Sequence, residues 1–145
     1  MGTVQSTYAD TIDAGFAGAL ANEEPRVLIS RTVEDAAGIA FGLGVIQGTA
    51  DKGCVVGDGS GLMLGVTVRD QSVNPATPNL FADEDNARIM TKGVIWVVNS
   101  GGCVAGDIVH SLAAGALGKT GGKLVPNARW ETTALTGALA QLRLA

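Results

Sequence analysis

Twenty-one glycines in a chain of 145 residues stand as punctuation between short apolar runs such as Val27-Leu28-Ile29, Val55-Val56 and Val94-Ile95-Trp96-Val97-Val98. Glycine reaches positive φ without steric cost, so tight turns fall where it recurs, and a chain interrupted this often cannot sustain long helices. Short strands joined by turns are what remains. Residues 62–69 show it most plainly: Leu62, Leu64, Val66 and Val68 fall on one face, and Met63, Gly65, Thr67 and Arg69 on the other.

Further strands are expected over residues 26–31, 44–48, 53–56, 88–91, 93–99, 108–112, 123–125, 128–132 and 138–144. Thr32-Val33-Glu34-Asp35 has the form of a helix N-cap followed by acids, but Gly38 and Gly42 limit it to one short turn. Residues 70–87 are the longest irregular stretch, carrying Pro75, Pro78 and the acidic run Asp83-Glu84-Asp85, and read as a solvated crossing in preference to a contact loop. So many short strands spaced by turn signals predict an all-β fold, a jelly-roll-like sandwich or barrel with little helix.

Residues 1–25 differ from the rest: polar at first, then small and glycine-containing, and closed by Glu23-Glu24-Pro25, with no sustained period. They predict an irregular N-terminal arm on a single β domain of residues 26–145. Tyr8, Ile12, Phe16 and Leu20 recur every fourth residue, which points to an arm that orders against a partner surface.

A chain of this length buries roughly 68–70% of its unfolded surface in one core. Hydrophobic residues reach 46% but aromatics only 4%, and alanine supplies much of the apolar count, so the core is thin and self-association is a natural way to hide more surface. The formal charge of −4 and scattered Lys and Arg repel polyphosphate and argue against direct nucleic-acid binding. No run approaches the roughly 18–20 apolar residues of a membrane span, and no basic region precedes an apolar core at Met1, so synthesis in a cytoplasm without a membrane partner is the expectation. Cys54 and Cys103 are then expected as buried free thiols.

Candidate chemistry is sparse. Gly118-Lys119-Thr120 imitates the end of a phosphate-binding loop, but Ala113 stands where that loop needs glycine, and Gly121-Gly122 follow where it needs a helix. Gly57-Asp58-Gly59-Ser60-Gly61 lacks the dinucleotide spacing and reads as a hairpin loop. Asp107, His110 and Ser111 include the residue types of a hydrolase triad, yet neighbours on a strand face opposite ways. A single histidine cannot supply a jelly-roll metal centre, and the acids at 83–85 lack the alternating spacing of a calcium loop. No catalytic, cofactor or metal residue is therefore assigned. Trp96 and Trp130 are read as core or interface anchors in preference to a sugar platform.

A run of segments in order carries a resemblance: Gln5-Ser6-Thr7-Tyr8, Gly15-Phe16-Ala17-Gly18, Ile29-Ser30-Arg31, the stretch from Asp35 to Gly42, Gly65-Val66-Thr67-Val68, Gly93-Val94-Ile95-Trp96-Val97, Ala105-Gly106-Asp107, Leu124-Val125-Pro126-Asn127-Ala128 and Gln141-Leu142-Arg143-Leu144. In this order they resemble the structural cement, or capsid decoration, proteins of tailed bacteriophages. The resemblance implies a non-enzymatic jelly-roll-like protein on the outer capsid surface of the virion, made in the bacterial host cytoplasm and clamping neighbouring major capsid protein subunits. It also implies self-association as a homodimer, with a homotrimer as the alternative. Tyr8, Ile12, Phe16, Trp96 and Trp130 are the expected protein-interface residues. The rival from another class is a carbohydrate- or receptor-binding β-sandwich of a tail or secreted protein; a hydrolase built on Ser111 or His110 is a third.

Overall fold

The structure, a computed structural model, describes residues 15–145 with Asn74 excepted. Its strands are β1 (Val27–Val33), β2 (Ile39–Ala40), β3 (Gly44–Gln47), β4 (Gly53–Val56), β5 (Met63–Thr67), β6 (Leu80–Phe81), β7 (Asn86–Ser100), β8 (Ile108–Ser111), β9 (Leu117–Gly118), β10 (Lys123–Trp130) and β11 (Leu139–Leu144), with one short 3₁₀ turn at Ala113–Gly115. The fold is all-β with a closed barrel core, as the glycine punctuation predicts.

The pairings trace two closed circuits that share β7. One runs β1-β4-β3-β5-β7 and returns to β1; the other runs β7-β11-β10-β8-β9 and returns to β7. A ring with an odd number of strands cannot alternate direction all the way round, so each must contain a parallel pair. It is β1–β4 in the first ring, with Thr32 opposite Gly53, and β7–β9 in the second, with Asn99 opposite Leu117.

Taken in chain order, the two rings have one topology. In each, the first strand lies between the third and the last, and the second lies between the third and the fourth. Details repeat as well. Gly38 and Gly42 precede β3 with φ of 75° and 76°, and Gly102 and Gly106 precede β8 with φ of 79° and 95°. Ile39 pairs with Phe81 in the connection before the last strand of the first ring, and Cys103 pairs with Ala134 in the matching connection of the second. The molecule is one five-stranded motif used twice, with β7 serving as last strand of one copy and first of the next.

β7 departs from the two separate strands expected at 88–91 and 93–99. It is continuous over 15 residues. Its first half pairs with β1 and β5, and from Gly93 onward it pairs with β11. Gly93, at φ 129°, lets the strand turn between rings where a Cβ would press on Arg26 and Met90.

Two buried clusters follow. Val33, Ile39, Phe41, Val45, Cys54, Phe81, Ala87 and Ile89 fill the first ring, where Phe41 and Phe81 meet edge-to-face at 5.1 Å. The larger cluster centres on Trp130, Leu142, Ile95, Val97, Val109 and Leu117, and extends to Val66, Val68 and Met90 from the first ring. Burying each large side chain contributes about 1.5–3 kcal/mol.

Other expectations are corrected. Thr32 and Val33 belong to β1, and the acids after them accept backbone N–H groups: Glu34 from Thr49 and Ala50, Asp35 from Val56. The hairpin β3–β4 is thus fastened by acids whose order predicts a helix start, and the one short turn expected there closes with Gly38 N–H donating to Asp35 O at 2.9 Å. The strict alternation over 62–69 breaks because Leu64 bulges out of register between Val45↔Gly65 and Ile46↔Met63. Leu64 therefore packs in the first-ring cluster, while Val66 and Val68 face the other. The segments 123–125 and 128–132 merge into β10 across a bulge at Pro126 and Asn127, the latter at φ 57°. The crossing 70–87 is not wholly irregular: it contains β6, whose Phe81 is 1% exposed.

Candidate functional site

Residues 15–24 run from the described start of the chain across the seam between the rings. Gly18 N–H donates to Trp96 O at 2.8 Å, Trp96 N–H to Ala19 O at 2.9 Å, Ala21 N–H to Val94 O at 3.1 Å, and Arg69 N–H to Gly18 O at 2.8 Å. The segment thereby acts as a strand on the β7 edge left open between β5 and β9. Gly18 and Gly42 make the approach possible: both lie at positive φ, and a Cβ on either would overlap the other's backbone.

Beyond this wedge the surface turns apolar. Phe16 is 70% exposed, and its ring lies 5.3 Å from the Arg69 guanidinium, whose other neighbour is the Phe41 ring at 5.4 Å. Cation–π contact of this kind fixes the guanidinium and leaves the outer phenyl face free. Beside it opens a cavity of about 320 Å³ lined by Ala17, Phe41, Leu43, Val98, Ala116 and Thr136, with no charged residue in its wall. Val98 and Leu135 add exposed apolar surface.

An ionic chain holds the other end of the segment. Arg143 donates from both terminal nitrogens to Glu24, at 2.7 and 3.0 Å, and from Nε to Glu131 at 2.6 Å; Arg129 Nε reaches the same Glu131 oxygen at 2.8 Å. The Arg143 hydrogen bond holds the Glu24 carboxyl below its ordinary range, and those from Arg129 and Arg143 do the same for Glu131. Arg143 is correspondingly pushed up.

Of the expected interface residues, Tyr8 and Ile12 lie outside the described residues. Phe16 is exposed beside the cavity. Trp96 is 9% exposed beneath Gly15, and Trp130 is fully buried in the second ring, so the two indoles form no exposed sugar-stacking row. Val98 escapes the sequence reading because no pattern marks which face of β7 meets the seam, and Leu135 because it lies in the turn between β10 and β11, which has no period. The triad types do not assemble. His110 Nδ1 lies 2.6 Å from Gly121 O, Ser111 is buried with its Oγ unpartnered, and Asp107 accepts the Val104 N–H and lies 3.8 Å from Lys119. Cys54 and Cys103 are free and buried. Burial, with Asp35 and Glu34 nearby, pushes the Cys54 thiol up to about 11, away from nucleophilic thiolate. Among the described residues no helix is long and apolar enough to cross a membrane, and no three His, Cys, Asp or Glu gather to hold a metal.

Residues 4–145 match the profile of a family described as structural cement protein (E217 gp24/Pam3 gp6). No curated protein matches the chain. Among solved structures, a chain from the capsid of Myoviridae phage XM1 superposes with a TM-score of 0.69 at 13% identity, covering 97% of this chain and 96% of that one. The N base of the head fiber gp8.5 of bacteriophage phi29 superposes with a TM-score of 0.56 at 11% identity, covering 83% of this chain and 95% of its own. These two likenesses concern the fold.

Proposed function

We infer how this protein works from the premise that the chain belongs to the phage structural cement protein family and is a capsid decoration protein of the virion. On this reading it sits on the outer face of an icosahedral head, is made in the host cytoplasm, and bridges neighbouring major capsid protein subunits without catalysis. DNA packaged inside a head pushes subunits apart. A protein that binds across a seam favours the closed arrangement, because it binds that arrangement preferentially. Each contact can be modest when a self-associated protein attaches more than once, since the second attachment gains from effective concentration.

The observation that carries the placement of the contact is the apolar surface at the root of the arm: Phe16 exposed on Arg69, with the uncharged cavity and Val98 beside it. We assign Tyr8, Ile12 and Phe16 to the contact with the capsid or a sister subunit, and Trp96 to the support beneath that surface. A homodimer is the favoured assembly. An interface near about 1,600 Å² would be ordinary for such binding.

Cosedimentation with emptied and with full heads tests this. Removing residues 1–14, which leaves the seam strand in place, should yield a folded protein that no longer pellets with heads. Phe16→Ala should weaken binding about tenfold or more, as loss of an aromatic anchor does. Undiminished binding by both variants would remove the assignment.

A further inference from the structure

The internal repeat shows a vacancy. In the second ring the first strand, β7, meets its parallel partner β9 only at Asn99 and Ser100, and the edge before that point, at Val94 and Trp96, is covered by residues 18–21. In the first ring the first strand, β1, meets β4 only at Thr32 and Val33. The matching edge before that point, residues 28–30, has no such cover among the described residues.

Strand parity identifies the groups concerned. Thr32 N–H donates to Lys52 O on the β4 side, so the N–H and C=O groups of Leu28 and Ser30 face that side too, away from β7. Among the described residues no backbone bond outside the strand ladders reaches them. Ser30 O is met by the guanidinium of its own neighbour, Arg31 Nη1, at 2.9 Å, while Arg31 Nε is buried without a partner. Val27, 48% exposed, lies at the start of the same strand. Arg26, Arg31 and Lys52 flank the edge, and among the described residues none of them forms an ion pair.

We propose that this bare edge of β1 receives residues 1–14 of a second copy of the chain as an added strand. An open strand edge is a ready template for another chain, and this one is short, with Arg26 and Arg31 along it and the Glu34 carboxylate turned to the β3–β4 hairpin. The incoming segment has the complementary charge: Asp10 and Asp13 are its only charged side chains. Its direction of exit also favours a neighbour. From Ala21 at Val94 through Gly18 at Trp96 to Ala17 beside Val98, the chain runs toward the Ser100 end of β7, away from the part of β7 that carries β1. Reciprocal exchange between two copies closes as a twofold pair. This rests on the capsid reading only in assuming that the arm makes a contact, and it assigns that contact to the sister subunit.

Light scattering on the full chain should give twice its 14.6 kDa. Deleting residues 1–14 should weaken pairing at least about tenfold, and Ser30→Pro should do the same, because proline blocks an added strand while the Ser30 N–H plays no part in the β1–β7 ladder. Thermal unfolding checks that both variants remain folded; Arg31→Glu, which opposes Asp10 and Asp13, replaces Ser30→Pro if proline unfolds β1. Mixing the arm-deleted chain with Ser30→Pro should restore a pair, since each supplies what the other lacks. A monomeric full chain, pairing unchanged in either variant, or a mixture that stays monomeric overturns the proposal; the last places the arm on its own β1. If Ser30→Pro abolishes head binding without changing the mass, the edge belongs to the capsid and the proposal also falls. Pairing as expected with no form pelleting with heads would instead refute the capsid contact and leave the exchange standing.

Discussion

The two rings have the same strand order but finish their open edges differently. In the second, the edge of β7 is sealed by the chain's own residues 18–21; in the first, no described residue covers the equivalent edge of β1. The connection before the last strand differs too. In the first ring it spans the long acidic crossing and contributes β6 and Phe81, while in the second it is a short turn that Asn99 fastens by donating to Leu135 O and Ala138 O at 2.8 Å each. A motif used twice thus keeps its barrel and its paired glycines, while edges and connections diverge. Barrels are fixed by packing density and register; edges are where partners can be taken on.

The largest test of this comparison is in the cores. Trp130→Ala and Phe81→Ala should each cost about 3–5 kcal/mol, because each empties a fully buried aromatic site. Chemical denaturation followed by tryptophan fluorescence and by circular dichroism should show one coincident transition in each variant, since β7 belongs to both rings. Separate transitions would show that the rings are independent.

Next come the paired glycines. Gly42→Ala should cost about 2–5 kcal/mol, combining left-handed strain with overlap on Gly18. Gly106→Ala faces open space and should cost only the strain, about 1–2 kcal/mol. Proteolysis near residue 18 should rise in the first variant alone; equal effects in both would deny that the arm is wedged at Gly42.

A smaller effect belongs to the ionic chain that, among the described residues, the second ring has and the first lacks. Glu24 and Glu131 titrate below their ordinary range when folded, so their pairs with Arg143 contribute at and above that range and fade as pH falls through the folded values. Glu24→Gln should lower hydrogen-exchange protection at Ala19 and Ala21 near neutral pH and have little effect once pH is well below the carboxylate range. A difference between wild type and variant that grows on acidification would contradict the latch. Smallest of all, His110→Ala should change stability by no more than about 0.5 kcal/mol, since its ring is partly exposed and, among the described residues, bonds Gly121 O alone.

Much of the fold was legible because period and punctuation are local. β3 and β4 begin where the glycines place them, and β8 and β11 lie within their expected spans. What misled were residues whose role is set at a distance. Glu34 and Asp35 have the chemistry of a helix start but reach across to the β3–β4 hairpin, and Leu64 sits in a perfect alternation that a bulge overrides. Phe81 lay in a stretch dominated by proline and acid, and its partner Phe41 is far away in sequence. At the arm root, spacing alone marks Phe16 as an apolar position, whereas its apposition to Arg69 and the cavity that Val98 lines depends on how the two rings meet.

The sequence by itself determined an all-β chain of short strands with little helix, because turn geometry and strand period depend on neighbouring residues only. The tertiary structure alone decided that one motif is used twice around β7, that residues 18–21 close one ring's edge, and that no other described residue covers the edge of β1. Those outcomes depend on which strands meet, and strand pairing is a contact between distant residues that no local pattern encodes.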